Sequence, residues 1–89
     1  MKIVAIKNVE RKGVPIYYRL VYTGVAEIEI VDGTKDYRIE FIIEIKPTGE
    51  STVSVSMQDD IHYPLVPVIG RLKEVIAKMH SNGDLPVTN

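Results

Sequence analysis

The chain has 89 residues, 45% hydrophobic and 26% charged, with a formal net charge of −1. That length fits one small domain, and the composition is globular rather than disordered. The near-neutral balance predicts no general attraction to nucleic acid or to anionic membranes, and the absence of cysteine excludes disulfides, thiolate catalysis and Cys-ligated zinc.

The apolar run near Met1 is too short for a signal peptide, and no run could span a bilayer, so the expected location is the cytoplasm. Residues 2–9 read as a first strand. Ile3, Ala5 and Val9 share a parity with Lys7, while Val4 and Ile6 point the other way, which suits an edge strand or one covered on both sides. Pairing within the chain and exchange between subunits are both open for it. Residues 10–15 hold Gly13 and Pro15 and are expected to form a turn.

From Ile16 onward, apolar side chains fall on every second residue: Ile16, Tyr18, Leu20, Tyr22, Ala26, Ile28 and Ile30, then Tyr37, Ile39, Phe41, Ile43 and Ile45, then Val53, Val55 and Met57. Period two marks strands with one buried face. Gly24 interrupts the first of these runs. It either closes a tight hairpin or bends one long strand, and the length of the next run favours the bend. Asp32-Gly33 is a hairpin signal, with Val31 expected opposite Asp36 and Glu29 facing Arg38. Residues 36–46 form the next strand, residues 46–51 a turn, and residues 52–58 the last strand, with Thr52, Ser54, Ser56 and Gln58 outward.

Leu65, Val68, Ile69, Leu72, Val75, Ile76 and Met79 recur at three- and four-residue spacing and draw the apolar stripe of a helix. It starts near Pro64 and Pro67, is supported by a Glu74–Lys78 pair, and ends at a Gly83 cap. The whole predicts an α+β domain over residues 1–83: a curved antiparallel meander of four or five strands with one C-terminal amphipathic helix on one face. Residues 84–89 are expected to be a flexible tail.

A helix of about 24 Å cannot cover every inward side chain of strands about 36 Å long. Either the sheet curves around the helix or a second copy covers the remainder. A homodimer is therefore expected, with Phe41, Ile42, Ile43 and Gly70 as candidate interface residues. Ile42 points outward among charges, and Gly70, with Val66 and Ala77, forms a small-residue strip on the helix.

The densest polar cluster is Asp59, Asp60, His62 and Tyr63 at the strand–helix junction. Two carboxylates and an imidazole suit acid–base or metal chemistry. A turn whose carboxylates favour the helix N-terminus explains them equally simply, and no metal or cofactor is expected. Tyr17, Arg19 and Arg38 share the outward sheet face, where basic and aromatic residues can track a nucleic-acid strand, but Glu27, Glu29, Glu40 and Glu44 lie on that face too.

The order of antiparallel strands followed by one C-terminal helix is similar, at the topology level alone, to single-stranded nucleic-acid-binding modules of the PUR-repeat and Whirly type. None of their basic or aromatic motif residues stands in a matching position. No nucleotide-binding, nucleophile-elbow, zinc-protease or calcium-loop motif occurs. The expectation is a non-enzymatic protein-interaction module. The alternatives are a single-stranded nucleic-acid binder using the open sheet face and a small-molecule binder with a pocket between helix and sheet near Tyr63 and His62.

Overall fold

The computed structural model describes residues 1–86, the side chains of Val14 and Pro15 excepted. Four antiparallel strands, β1 (Lys2–Ile16), β2 (Arg19–Ile30), β3 (Gly33–Ile45) and β4 (Ser51–Met57), form one sheet in the order β1-β2-β3-β4, and α1 (Leu65–Ser81) follows. The α+β meander with a C-terminal helix matches the periodicities of the sequence. Gly24 sits inside a single uninterrupted β2, as the long-strand alternative requires.

The first turn is not where Gly13 and Pro15 suggested. β1 continues through both and turns at Tyr17-Tyr18. It absorbs them because it is an edge strand and because its register slips at three places against β2: between Ile3 and Ala5, between Lys7 and Glu10, and between Lys12 and Ile16. Asn8 (φ 54°) and Gly13 (φ 78°) take left-handed backbone at two of these slips. The extra residues scramble the period of two, so the sequence shows two half-apolar faces. The middle slip explains Gly24. A Cβ there would lie 3.4 Å from Val9 Cγ2 and 3.5 Å from Lys7 O, so the bulged strand lies close against this position.

The β2–β3 register also differs from the expectation. Ile30 pairs with Gly33 around a two-residue Val31-Asp32 turn, so Glu29 faces Thr34 and Arg38 faces Val25. Gly33, at φ 115°, lets pairing begin immediately after the turn. The shift is by an even number of residues, so the inward set survives.

That inward set is buried by the chain itself. Tyr22, Ala26, Ile28, Ile30, Tyr37, Ile39, Phe41 and Ile43 pack with Val68, Leu72 and Ile76 of α1. The Tyr22 and Phe41 rings stack, 5.0 Å apart at 19°. Each large side chain so buried contributes about 1.5–3 kcal/mol, against a net stability of about 4–13 kcal/mol for this length. No second copy is needed to cover this face, which removes the coverage argument for a dimer. Phe41 and Ile43 are fully buried in the chain's own core and offer nothing to an interface. Ile42 is half-buried on the outer face between Val21 and Ser54, whereas Gly70 is exposed on the side of α1 away from the sheet. The candidate interface residues therefore form no single surface.

The helix begins after Pro64, which offers no side-chain cap. Leu65, expected in the buried stripe, is exposed, and Glu74 pairs with Arg71 at 2.9 Å rather than with Lys78. At the other end Gly83 (φ 74°) donates to His80 O at 3.1 Å and Asp84 N–H to Met79 O at 2.9 Å. This is a Schellman closure with Gly83 as its left-handed residue. It turns the chain back so that Leu85, placed by the sequence in the tail, is 8% exposed and part of the core. Residues 87–89 of that tail lie outside the described residues.

Candidate functional site

The junction of β4 and α1 resolves the polar cluster. Asp59 is claimed by Arg38: Nη2 donates to Oδ1 at 2.6 Å, Nε to Oδ1 at 3.1 Å, and the Arg38 backbone N–H to Oδ2 at 2.8 Å. Gln58 N–H donates to Arg38 O at 2.9 Å, so the carboxylate takes over as main-chain acceptor one residue beyond the β3–β4 ladder. These bonds hold the Asp59 carboxyl at about 2, below its ordinary 3.8, and raise Arg38. Asp59 thus serves the end of the sheet and not the helix N-terminus, whose first turn carries no acidic residue.

Asp60 and His62 are exposed and Tyr63 is half-buried. With Met57, Ile61 and Leu65 they border an open concavity of about 470 Å³. Among the described residues no three His, Asp or Glu side chains gather to hold a metal ion. A smaller concavity of about 190 Å³ opens at the other end of the helix, between Arg11, Tyr22, His80 and Leu85. There the Arg11 guanidinium lies 6.0 Å from the centre of the Tyr22 ring. Burial pushes the Tyr22 phenol up, and the Arg11 charge partly offsets this.

The outward face does not assemble a basic strip. Arg19 pairs with Glu44 in the ladder, and Arg38 lies six positions along β3 from Glu44, about 20 Å away. Lys7 is engaged by Asp36 at 3.1 Å and Glu27 at 3.8 Å. Between these pairs the face is only mildly apolar, with Val21, Val25 and Ile42 half-buried. A shallow hollow of about 340 Å³ lies over Gly24 beside Asn8, Thr23 and Gln58.

The most exposed aromatic surface is the β1–β2 corner. Tyr17 is 85% and Tyr18 53% exposed, and their rings meet edge to face at 5.6 Å and 89°. With Ile45, Lys46 and Pro47 they border a concavity of about 440 Å³. The sequence singled out Tyr17 but placed Tyr18 and Ile16 inward. Both are exposed, because the 17-residue helix is about 25 Å long while the molecule extends 41 Å. The signal available in the sequence was the distance of Tyr18 from the last helix-covered position, not its parity.

The four-strand meander, the single C-terminal helix and this absence of a built catalytic cluster among the described residues define a small α+β protein without a recognisable reaction centre. A family model matches residues 1–81, and the chain belongs to that family, the BB_0187 family. Membership by itself assigns no reaction, ligand or partner. No curated protein and no solved structure matches the chain significantly.

Proposed function

We propose that this protein is a small, non-enzymatic, cytoplasmic interaction module that works as a homodimer and binds another protein through the Tyr17–Tyr18 corner. The observation that carries the reading is the pairing of two exposed tyrosines at a hairpin, against Ile45, Lys46 and Pro47. Tyrosines are over-represented among interface residues that dominate binding energy, because each presents a large rigid apolar face and a polar hydroxyl. Scattered exposed apolar residues carry no such meaning, but a contiguous aromatic patch does. The polar residues that could have pointed to chemistry are instead engaged in structural pairs, Arg38 with Asp59 foremost.

The nucleic-acid alternative has weaker support, since Glu27, Asp36, Glu40 and Glu44 stand on the outer face among its few cations. Comparing proteins cross-linked to the wild type with those cross-linked to Tyr17→Ser/Tyr18→Ser tests the reading. Both tyrosines are exposed, so the variant should fold and lose a specific partner by about thirtyfold, the scale of an interface hot spot. An unchanged set of partners would contradict the reading.

A further inference from the structure

The two edges of the sheet are treated very differently. β1 is interrupted by three register slips and carries Lys2, Lys7, Glu10, Arg11 and Lys12. Slips and charges of this kind are how natural edge strands avoid pairing with other chains. β4, Ser51-Thr-Val-Ser-Val-Ser-Met57, has no charge, no proline, no glycine and no register slip against β3. It is an edge strand left fit for pairing.

Its hydrogen-bonding groups can be followed one by one. Gln58 N–H donates to Arg38 O and Lys46 N–H to Glu50 O, which fixes the even-numbered residues of β4 as those facing β3. The N–H and C=O groups of Ser51, Val53, Val55 and Met57 therefore point away from the sheet. No strand lies beyond them, and no hydrogen bond reaches them among the described residues.

The sequence of β4 also reads nearly the same in both directions about Ser54: Val53 mirrors Val55, and Thr52 mirrors Ser56. We propose that this edge is the seat of a second copy of the chain, paired antiparallel about a two-fold axis through Ser54. The register places each outward N–H opposite an outward C=O, giving about eight main-chain hydrogen bonds, close to the number in a typical protein interface. Valine meets valine on the inner face, hydroxyl meets hydroxyl on the outer face, and the flanking Glu50 meets the partner's Gln58, so no like charges are opposed. The near-palindrome is what selects a second copy over an unrelated strand. A symmetric contact needs one patch complementary to itself, and this one is. The result is a continuous sheet running from one β1 to the other, with a tyrosine corner at each far end, which would display the proposed binding surface twice.

The inference rests on the homodimer reading above and adds where the second copy sits. Two variants test it beside the wild type and a Thr52→Cys control, with native mass spectrometry as the readout. Ser54 is exposed, so neither Ser54→Cys nor Ser54→Lys should disturb the fold. Residues directly opposite in a non-hydrogen-bonded pair have Cα atoms about 4.5 Å apart, within disulfide reach. Ser54→Cys, treated with oxidised glutathione, should therefore give a covalent dimer, and the chain has no other cysteine to confuse the result. Thr52→Cys should not, because its symmetry mate would be about 13 Å along the strand. Ser54→Lys should raise the dimer dissociation constant by about fivefold or more, by setting two ammonium groups against each other. A wild type that stays monomeric would overturn the dimer reading and this inference together. A wild-type dimer that resists Ser54→Lys and does not cross-link through Ser54→Cys would overturn the placement alone.

Discussion

Arg38 and Asp59 are joined by two guanidinium nitrogens and by the Arg38 main-chain N–H, so one carboxylate ends the β3–β4 ladder and starts the path to the helix. This pair sets the acid sensitivity of the fold. Asp59 titrates at about 2 in the folded chain against an ordinary 3.8, chiefly because the Arg38 side chain bonds to its ionised form. A folded value below the unfolded one means the stabilisation is complete above about pH 4 and is lost as the pH falls through about 2. Asp59→Asn should therefore lower the Tm at pH 5 and differ little from the wild type near pH 2. A Tm difference that stays constant across that range, followed by circular dichroism, would contradict this role.

The Tyr22–Phe41 stack lies at the centre of the core. Phe41→Ala removes a fully buried ring and should cost about 3–5 kcal/mol, with Leu72→Ala costing about 2–5 kcal/mol. Urea titrations should show midpoints displaced accordingly. A Phe41→Ala variant within about 1 kcal/mol of the wild type would mean the core is not packed as described.

Gly70 gives a prediction of the opposite sign. It sits inside α1, exposed, with nothing within 4 Å of a Cβ placed there. Gly70→Ala should stabilise the protein by about 0.8–1 kcal/mol, or about 4–8 °C in Tm, without altering oligomeric state. If Gly70→Ala instead dissociated a dimer, the contact would run through the helix.

Leu85 tests the C-terminal boundary. It packs in the core after the Gly83 closure, so a chain ending at Gly83 should be less stable than one ending at Pro86 by about 2–4 kcal/mol, the scale for loss of a buried leucine. Equal thermal unfolding of the two chains would restore the reading of a tail that begins at residue 84.

Much of the fold was legible in the sequence, for identifiable reasons. Even positions from Leu20 to Ile30 and odd positions from Tyr37 to Ile43 alternate cleanly, and a strand with one buried face has no other way to be written. Gly49 and Pro47 stood between two such runs and marked the β3–β4 turn. β1 was legible only in part. Each bulge moves the later residues to the opposite face, so its apolar residues keep no single parity, and Gly13 looked like a turn when it was part of a slip. The Arg38–Asp59 pair lies 21 residues apart and depends on the registers of β3 with its neighbours, which the turn at Val31-Asp32 fixed four positions away from the expected pairing. The tyrosine corner escaped for a different reason. Parity tells which face a side chain takes, and helix length tells whether anything is there to cover it.

Hydrogen–deuterium exchange at high and low protein concentration, about a hundredfold apart, tests the central claim most directly: one chain makes its own core and meets its partners with its surface. Amides of β2 and β3, such as those of Tyr22, Ile28 and Phe41, should stay protected at both concentrations. Those of Val53, Val55 and Met57 should be protected only when the protein is concentrated. Loss of protection across β2 and β3 on dilution would contradict the account, because the core would then exist only in the assembled state.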